Sequence, residues 1–492
     1  MHSPPLAGGT AGPAALRPLL DVVLDALHHG AKARGGPLPK GGPEAVAQRV
    51  HAAARDILPT HGTGAEEALT TVVRALAEGA ADPAEPHCAA HLHTPPLALA
   101  AAADLAASAL NPSLDSWDQA PAASALETLV TQAIAHEIWP HGDALITTGG
   151  TESNQLALLL AREHHGPLPI VCGAHTHHSI HRAAWLLGLP QPLVIPTPTG
   201  TTDPTALDDT LTRLGHRALV VATAGTTDTG AIDPLPAIAD VCARHHAHLH
   251  VDAAYGGPLL FSDRHRPQLA GLDRAHTVTL DLHKLGWQPV AAGLLAVADP
   301  HHLTPLTHTA DYLNADDDTH HGLPDLLGRS LRTTRRPDAL KIAVTLRALG
   351  RDGLAHLIDR VCAHATTLAQ LIDEHLQLEL HARPTISTVL FRPHHATDED
   401  VAHIRRTLLT HGTAVLGRAH ADGRLWLKAT LLNPHLTPHD LHTLLATTLL
   451  ATAPLTTAPL TTNLNAPTRN APTRNAPTLN APTPPPTEGT PQ

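Results

Sequence analysis

A chain of 492 residues is too long for a single compact core and points to two or three structural units. Its 33 lysines and arginines against 45 aspartates and glutamates give a formal charge of -12, and no stretch concentrates basic residues, so nucleic acid is not an expected partner. The four cysteines, Cys88, Cys172, Cys242 and Cys362, lie far apart and form no CxxC pair, which argues against a disulfide framework or a cysteine zinc site and suits a reducing cytoplasm.

The opening segment MHSPPLAGGTAGPAA has no basic region followed by an apolar one, and the longest apolar stretch, Leu97 to Leu110, is short and carries Asp104, so neither secretion nor a membrane span is expected. Residues 15–28 and 66–79 carry apolar side chains at helical spacing around a Gly/Pro-rich stretch at 30–43, which predicts a helical segment over 1–80. From 81 to 350 short β-branched runs alternate with helical stretches. ALITT (144–148), LPIVC (168–172), ALVVATA (218–224), AHLHVD (247–252) and TVTLD (277–281) read as strands, with SNQLALLLAREH, SIHRAAWLLG and LPAIADVCARHH as helices between them. The alternation predicts an α/β fold, a mostly parallel sheet covered by helices, with any ligand at the carboxyl ends of the strands. Over 351–450, helical runs and the strand candidates TISTVLFRP and RLWLKATLL suggest a smaller α+β unit. The last stretch, 451–492, repeats Asn-Ala-Pro-Thr without apolar periodicity and is expected to be a disordered tail, because it has too little apolar surface to offset chain entropy.

The 41 histidines raise a metal-binding reading. They are scattered, often as His-His pairs, with no HExxH and no cysteines at zinc spacing, so no metal is expected and a histidine-rich metal binder is the weaker alternative.

Chemistry gathers at the ends of the expected strands. After ALITT comes Gly149-Gly150-Thr151-Glu152-Ser153-Asn154 and then a helix, so backbone N–H groups and the Thr151 hydroxyl are placed to receive a phosphate; a plain strand-to-helix turn is the other reading. After AHLHV comes Asp252, a buried carboxylate that needs a positive or hydrogen-bonding partner such as a protonated pyridine nitrogen. After TVTLD comes Lys284, which at the end of an apolar strand would be desolvated, as a Schiff-base lysine requires; an exposed lysine just past a strand is the plain alternative.

TTGGTESNQLALLLAR, HTHHSIHRAA, AGTTDTGAIDP, HVDAAYGG, DLHKLGWQP and TTRRPDALK occur in the order found in group II pyridoxal-phosphate decarboxylases, and the chain resembles that family over about residues 85–435. Within the group, SALNPSLDSWDQAPAA, DYLNADDD, SLRTTRRPDALK and DGRLWLKATLLNP resemble most the bacterial diaminobutyrate and siderophore-pathway lysine decarboxylases. The resemblance implies a type I, aspartate-aminotransferase-like fold, pyridoxal 5'-phosphate as cofactor, and a homodimer with the active site at its interface. It places the Schiff-base lysine at Lys284, with His283 beside it near the phosphate, and the partner of the ring nitrogen at Asp252. Ala254 would lie under the ring, His177 would stack on it, Gly150 and Thr151 would form the phosphate loop, and Thr227 would contact the cofactor. His175 and His178 fall outside the register of the stacking histidine. The reaction so implied is decarboxylation of an L-amino acid to its amine, with a diamino acid (2,4-diaminobutyrate, lysine or ornithine) as the expected substrate. An aminotransferase or related lyase on the same fold, and a catalytically silent relative, are the competing readings.

The sequence departs from the family in two places. Many members carry a tyrosine about nine residues before the paired arginines as the proton donor to Cα; before Arg335 and Arg336 that place falls at Leu326. Of the two tyrosines, Tyr312 lies in the same loop region and is the candidate donor, with packing as its plain alternative. Pro337 replaces the aromatic residue usual after the arginines. The triplet Asp316, Asp317 and Asp318 is either a site for a distal ammonium or a solvated turn.

Overall fold

The computed structural model describes residues 3–308, 313–315, 317 and 320–452. Tyr312, Asp316, Asp318 and the expected tail from 453 onward lie outside the described residues. Residues up to 452 form one compact unit, into which the segments drawn at 1–80, 81–350 and 351–450 all pack.

The strands are β1 (Cys88–Ala89), β2 (Asp143–Thr147), β3 (Ile170–Gly173), β4 (Leu193–Ile195), β5 (Leu219–Thr223), β6 (His248–Asp252), β7 (Thr277–Asp281), β8 (Gly293–Val297), β9 (Leu378–Leu380), β10 (Thr388–Pro393), β11 (Val415–Ala421) and β12 (Arg424–Thr430). Among the described residues they form a seven-stranded sheet in the order β2-β8-β7-β6-β5-β3-β4 and a five-stranded sheet in the order β1-β11-β12-β10-β9. In the larger sheet β4, β3, β5, β6 and β7 pair in parallel, whereas β8 runs antiparallel to both β7 and β2. This is the α/β fold with a mostly parallel sheet that the alternating pattern predicts. Strands covered on both faces become continuous apolar runs, and β5, β6, β7 and β8 are buried along their whole length.

The five strands expected in the large sheet are all present, shifted by at most two residues. The antiparallel β8 was not expected, because GLLAV is a short apolar run that periodicity alone does not separate from a buried helix segment. Its first residue explains its place: a Cβ on Gly293 would stand 2.4 Å from Gly149 Cα, so only glycine lets this strand pass the turn after β2. The helices expected near the amino terminus run over Gly12–Arg34 and Ala65–Gly79, with a further helix, Gly42–Ala54, between them. No helix among the described residues is long and apolar enough to cross a membrane.

At the amino ends of the large-sheet strands, remote from the strand ends that carry the site, imidazoles crowd together. His248 opens β6, is 3% exposed, and has no hydrogen-bond partner among the described residues at either ring nitrogen. Its ring stacks on His276 at 4.2 Å, with His165 at 5.4 Å and His302 at 5.8 Å. Burial, reinforced by the neighbouring imidazoles, pushes the His248 pKa far below the ordinary value, and burial also lowers His165, His276 and His302. Arg217, close to His165 and His276, adds to the penalty on any proton placed there. A pKa depressed in the folded state means that stability is intact above the unfolded value of about 6.5 and falls as the pH drops below it, by about 1.4 kcal/mol per pH unit for one fully excluded proton. His248→Leu is therefore expected to flatten the loss of thermal stability on acidification below that pH, and thermal unfolding of the two proteins across a pH series measures it. Parallel curves would show that His248 does not contribute to acid sensitivity.

Candidate active site

The segments that leave the carboxyl ends of β2, β3, β5, β6 and β7 converge on one cavity of about 320 Å³. After β2 the chain turns at Gly149, whose φ of 152° disfavours residues with a side chain, and enters the helix Gly150–His165. A Cβ on Gly149 would lie 3.0 Å from His283 Cε1. Gly150 and Thr151 line the cavity in the first turn of this helix, where unpaired N–H groups and the helix dipole favour an anion.

Asp252 ends β6 and is buried, and its carboxylate accepts from Ala254 N at 3.1 Å and from Asn154 Nδ2 at 2.8 Å. Ala254 and Tyr255 line the wall beside it. The Tyr255 hydroxyl meets Ser387 Oγ at 2.8 Å and Thr388 Oγ1 at 3.0 Å, tying this wall to β10 of the second sheet, and burial raises its pKa to about 12.

Lys284 sits on the short helix Leu282–Leu285 directly after β7. The sequence predicts an apolar surround for it; the structure instead places its Nζ 2.9 Å from Oδ2 of Asp281, a residue 1% exposed at the end of the same strand. The other carboxylate oxygen, Asp281 Oδ1, is buried without a partner among the described residues. His283 Nδ1 accepts from Ala292 N at 3.2 Å, which leaves the proton on Nε2, 3.6 Å from Asp281. Burial pushes the His283 pKa down, against the opposing pull of Asp281.

His177 lines the cavity with its Nδ1 2.9 Å from Ser179 Oγ, and burial pushes its pKa down as well. His178 packs against its ring, with centroids 4.1 Å apart. His175, out of register in the sequence, also lines the cavity and is held by the buried Asp233 carboxylate at 3.2 Å. Thr227 also lines the cavity, and its carbonyl accepts from Lys428 Nζ at 2.9 Å. Lys428 comes from β12, and burial pushes it below the ordinary lysine value.

The structure thus gathers Gly150, Thr151, His177, Thr227, Asp252, Ala254, His283 and Lys284 around one space. Tyr312 lies outside the described residues. Sequence reasoning missed Asp281, although a carboxylate closing an apolar strand is the same signal that singled out Asp252. It also missed Asn154, His250 and Lys428, which reach the site through pairings between distant elements that no local pattern encodes.

A lysine, a carboxylate and an anion cradle around one cavity are the groups that an enzyme holding a phosphorylated ring aldehyde requires. Residues 51–394 match the pyridoxal-dependent decarboxylase conserved domain. The chain is 42% identical over 409 residues to L-2,4-diaminobutyrate decarboxylase of Rhizobium meliloti (strain 1021), a match that covers 79% of this chain and 82% of that protein. It is 31% identical over 425 residues to L-2,4-diaminobutyrate decarboxylase of Acinetobacter baumannii, covering 78% and 83%. The crystal structure of the glutamate decarboxylase domain of diaminobutyrate-pyruvate transaminase and L-2,4-diaminobutyrate decarboxylase from Vibrio parahaemolyticus superposes with a TM-score of 0.80 at 32% identity, covering 91% of this chain and 97% of that one. The chain belongs to the pyridoxal-dependent decarboxylase family and has its type I fold; it is a pyridoxal-phosphate-dependent amino-acid decarboxylase.

Gly149→Ala would force a side chain into a backbone conformation that costs about 1–3 kcal/mol and press it on His283. Its expected effect is weaker binding of pyridoxal phosphate, read by titrating the apo protein, together with a lower unfolding temperature. Wild-type affinity would show that this turn does not shape the phosphate cradle.

Proposed function

We propose that this enzyme decarboxylates L-2,4-diaminobutyrate, releasing 1,3-diaminopropane and carbon dioxide. The observation that carries the substrate is the resemblance, over most of both chains, to two proteins named as L-2,4-diaminobutyrate decarboxylases. Lysine and ornithine, which share the distal ammonium, are the substrates to compare with it.

The residues around the cavity fit pyridoxal phosphate. A Cβ on Gly150 would stand 3.0 Å from Ala254 Cβ and 3.1 Å from Asp281 Oδ2, so glycine keeps a floor open where a flat ring would pass. Thr223 Oγ1, in the cavity wall, and Asp281 Oδ1 are buried polar atoms that the described residues leave unpartnered. Gly150 and Thr151 would hold the phosphate with His283 alongside, Asp252 would face the ring nitrogen, His177 and Ala254 would lie against the ring, Thr227 would contact it, and Lys284 Nζ would carry it covalently. When bound, pyridoxal phosphate supplies an electron-accepting ring that takes up the charge left on Cα as carbon dioxide departs.

The chain's own residues do the rest. Lys284 must shed a proton before its amine can act as a nucleophile, and Asp281 Oδ2, 2.9 Å from Nζ, is the base within reach. Asp252, oriented by two donors, sets a negative charge where the ring nitrogen would lie. His177, Tyr255 and Leu92 line the cavity and would limit the access of water to a bound substrate. Tyr312 is assigned as the donor that returns a proton to Cα.

Assembly as a homodimer with the site at its interface, residence in the cytoplasm and a role in siderophore biosynthesis complete the reading. Of the boundaries drawn near 80, 350 and 450, the one near 350 is supported by the break of the helix Ala339–Asp373 at Gly350, where φ is 62°.

Incubation of the holoenzyme with 2,4-diaminobutyrate, lysine, ornithine, glutamate and aromatic amino acids, followed by mass spectrometry of amines, tests the proposal. 1,3-Diaminopropane is expected as the main product, with Lys284→Ala reducing its rate by on the order of 10³-fold or more. A different amine as the main product overturns the substrate, and a keto acid overturns decarboxylation. Tyr312→Phe is expected to lower kcat with little change in KM, and an unchanged kcat would remove Tyr312 from the reaction.

A further inference from the structure

Asn154 lies in the second turn of the helix Gly150–His165, fully buried, at the junction of a hydrogen-bond circuit behind the cavity wall. Its Nδ2 donates to Asp252 Oδ2 at 2.8 Å and to Ser179 Oγ at 2.8 Å. Its Oδ1 accepts from Thr279 Oγ1 at 2.8 Å and faces His250 Nε2 at 3.0 Å. The acceptors fix the protons along this circuit. Oδ1 carries no hydrogen, so His250 donates from Nε2, and its Nδ1, 2.8 Å from Thr277 Oγ1, is the accepting nitrogen. Burial pushes the His250 pKa down, against the opposing pull of Asp252, which favours a ring with a single proton.

The second branch ends in the cavity. Ser179 Oγ accepts from Asn154 and turns its own hydrogen toward His177 Nδ1 at 2.9 Å, while Ser179 N–H points at the same nitrogen from 3.4 Å. His177 is left protonated at Nε2.

A buried amide can be turned over with little change of shape. Turned over, Asn154 would set Oδ1 against the Asp252 carboxylate and give Ser179 no donor. The Thr277 and Thr279 hydroxyls give or take a hydrogen and tolerate either orientation; the Asp252 carboxylate, which only accepts, selects the orientation seen, and an Nε2–H donor at His250 completes the bonding of Oδ1 in it. We propose that His250, which lines neither cofactor nor substrate space, is the positioning residue that holds the Asn154 amide in place and, through it, the hydrogen bonds to Asp252 and Ser179. The proposal rests on the reading that this cavity holds pyridoxal phosphate with Asp252 toward the ring nitrogen.

The test titrates apo wild type, His250→Phe, His250→Gln and Thr277→Val with pyridoxal phosphate across the pH range in which each apo protein is folded, as shown by its thermal unfolding. His250→Phe keeps the volume of a ring and removes the donor. It is expected to weaken cofactor affinity by on the order of tenfold at neutral pH, the scale of one hydrogen bond to a charged group. It should also move the acid fall-off in affinity to higher pH, because a carboxylate stripped of a donor takes up a proton more readily. His250→Gln, whose side-chain amide can donate to the same oxygen, is expected to recover most of the loss. Wild-type affinity and acid fall-off in His250→Phe, or a glutamine variant as impaired as the phenylalanine one, overturns the proposal. If His250→Phe does not fold, Thr277→Val is read in its place: it keeps the side chain's shape, strips Nδ1 of its donor and is expected to show the same upward shift, and wild-type behaviour again overturns the proposal. Lys284→Ala separates this from the underlying reading, since cofactor that stays attached to that variant after borohydride reduction would show that the site itself is misassigned, whatever the His250 variants do.

Discussion

The hydrogen-bonded register at the carboxyl edge of the large sheet is the constraint on which the site depends. β5, β6 and β7 pair so that Thr223 lies beside Asp252 and Asp252 beside Thr279. One step further along, Asp281 pairs with Gly293, and Gly293 with Thr147. Side chains alternate between faces along a strand, so a slip of one residue would turn Asp252 away from the cavity and bring an apolar side chain into its place. The slip is resisted because both faces are buried: it would carry His250 and Asp252 away from Asn154 among apolar side chains, and each polar group left unpaired there costs about 1–3 kcal/mol.

That register also decides which buried polar groups are satisfied. β6 sends His248, His250 and Asp252 to one face, because alternate residues share a side. His250 and Asp252 meet Asn154, a single amide that gives each a partner, whereas His248, two residues earlier, meets only other imidazoles. An unpaired buried polar group costs about 1–3 kcal/mol. Along β6 the end at the site therefore has its imidazole and carboxylate bonded, where chemistry needs fixed protons, while the far end leaves His248 unsatisfied, where the cost falls on stability alone.

The second sheet braces the first. Tyr255 reaches Ser387 and Thr388, Lys428 reaches the Thr227 carbonyl, and Trp287 Nε1, just after the lysine helix, donates to Leu432 O at 2.8 Å. Each bond joins a residue that follows a large-sheet strand to a residue more than a hundred positions away. The strand-end segments that form the cavity are thereby held from both sides, which limits how far they can drift from the geometry the chemistry requires.

The alternation of β-branched runs with helical stretches, and a reactive residue type directly after each run, were legible in the sequence because both are local: strand periodicity and strand-end position depend on neighbours only a few residues away. Together with the order of the motifs, which carried the family, they singled out Gly150, Thr151, His177, Thr227, Asp252, Ala254, His283 and Lys284. What the linear chain could not carry is pairing at a distance. The antiparallel return of β8, the ion pair that Lys284 makes with Asp281, the entry of His175 into the cavity and the bonds of Asn154, His250 and Lys428 behind its wall were all decided by tertiary structure. Sequence alone determined which residue types stand at the strand ends; packing of the strands in register decided which of their atoms meet, because hydrogen bonds and ion pairs depend on distances of a few ångströms that only the folded sheet sets.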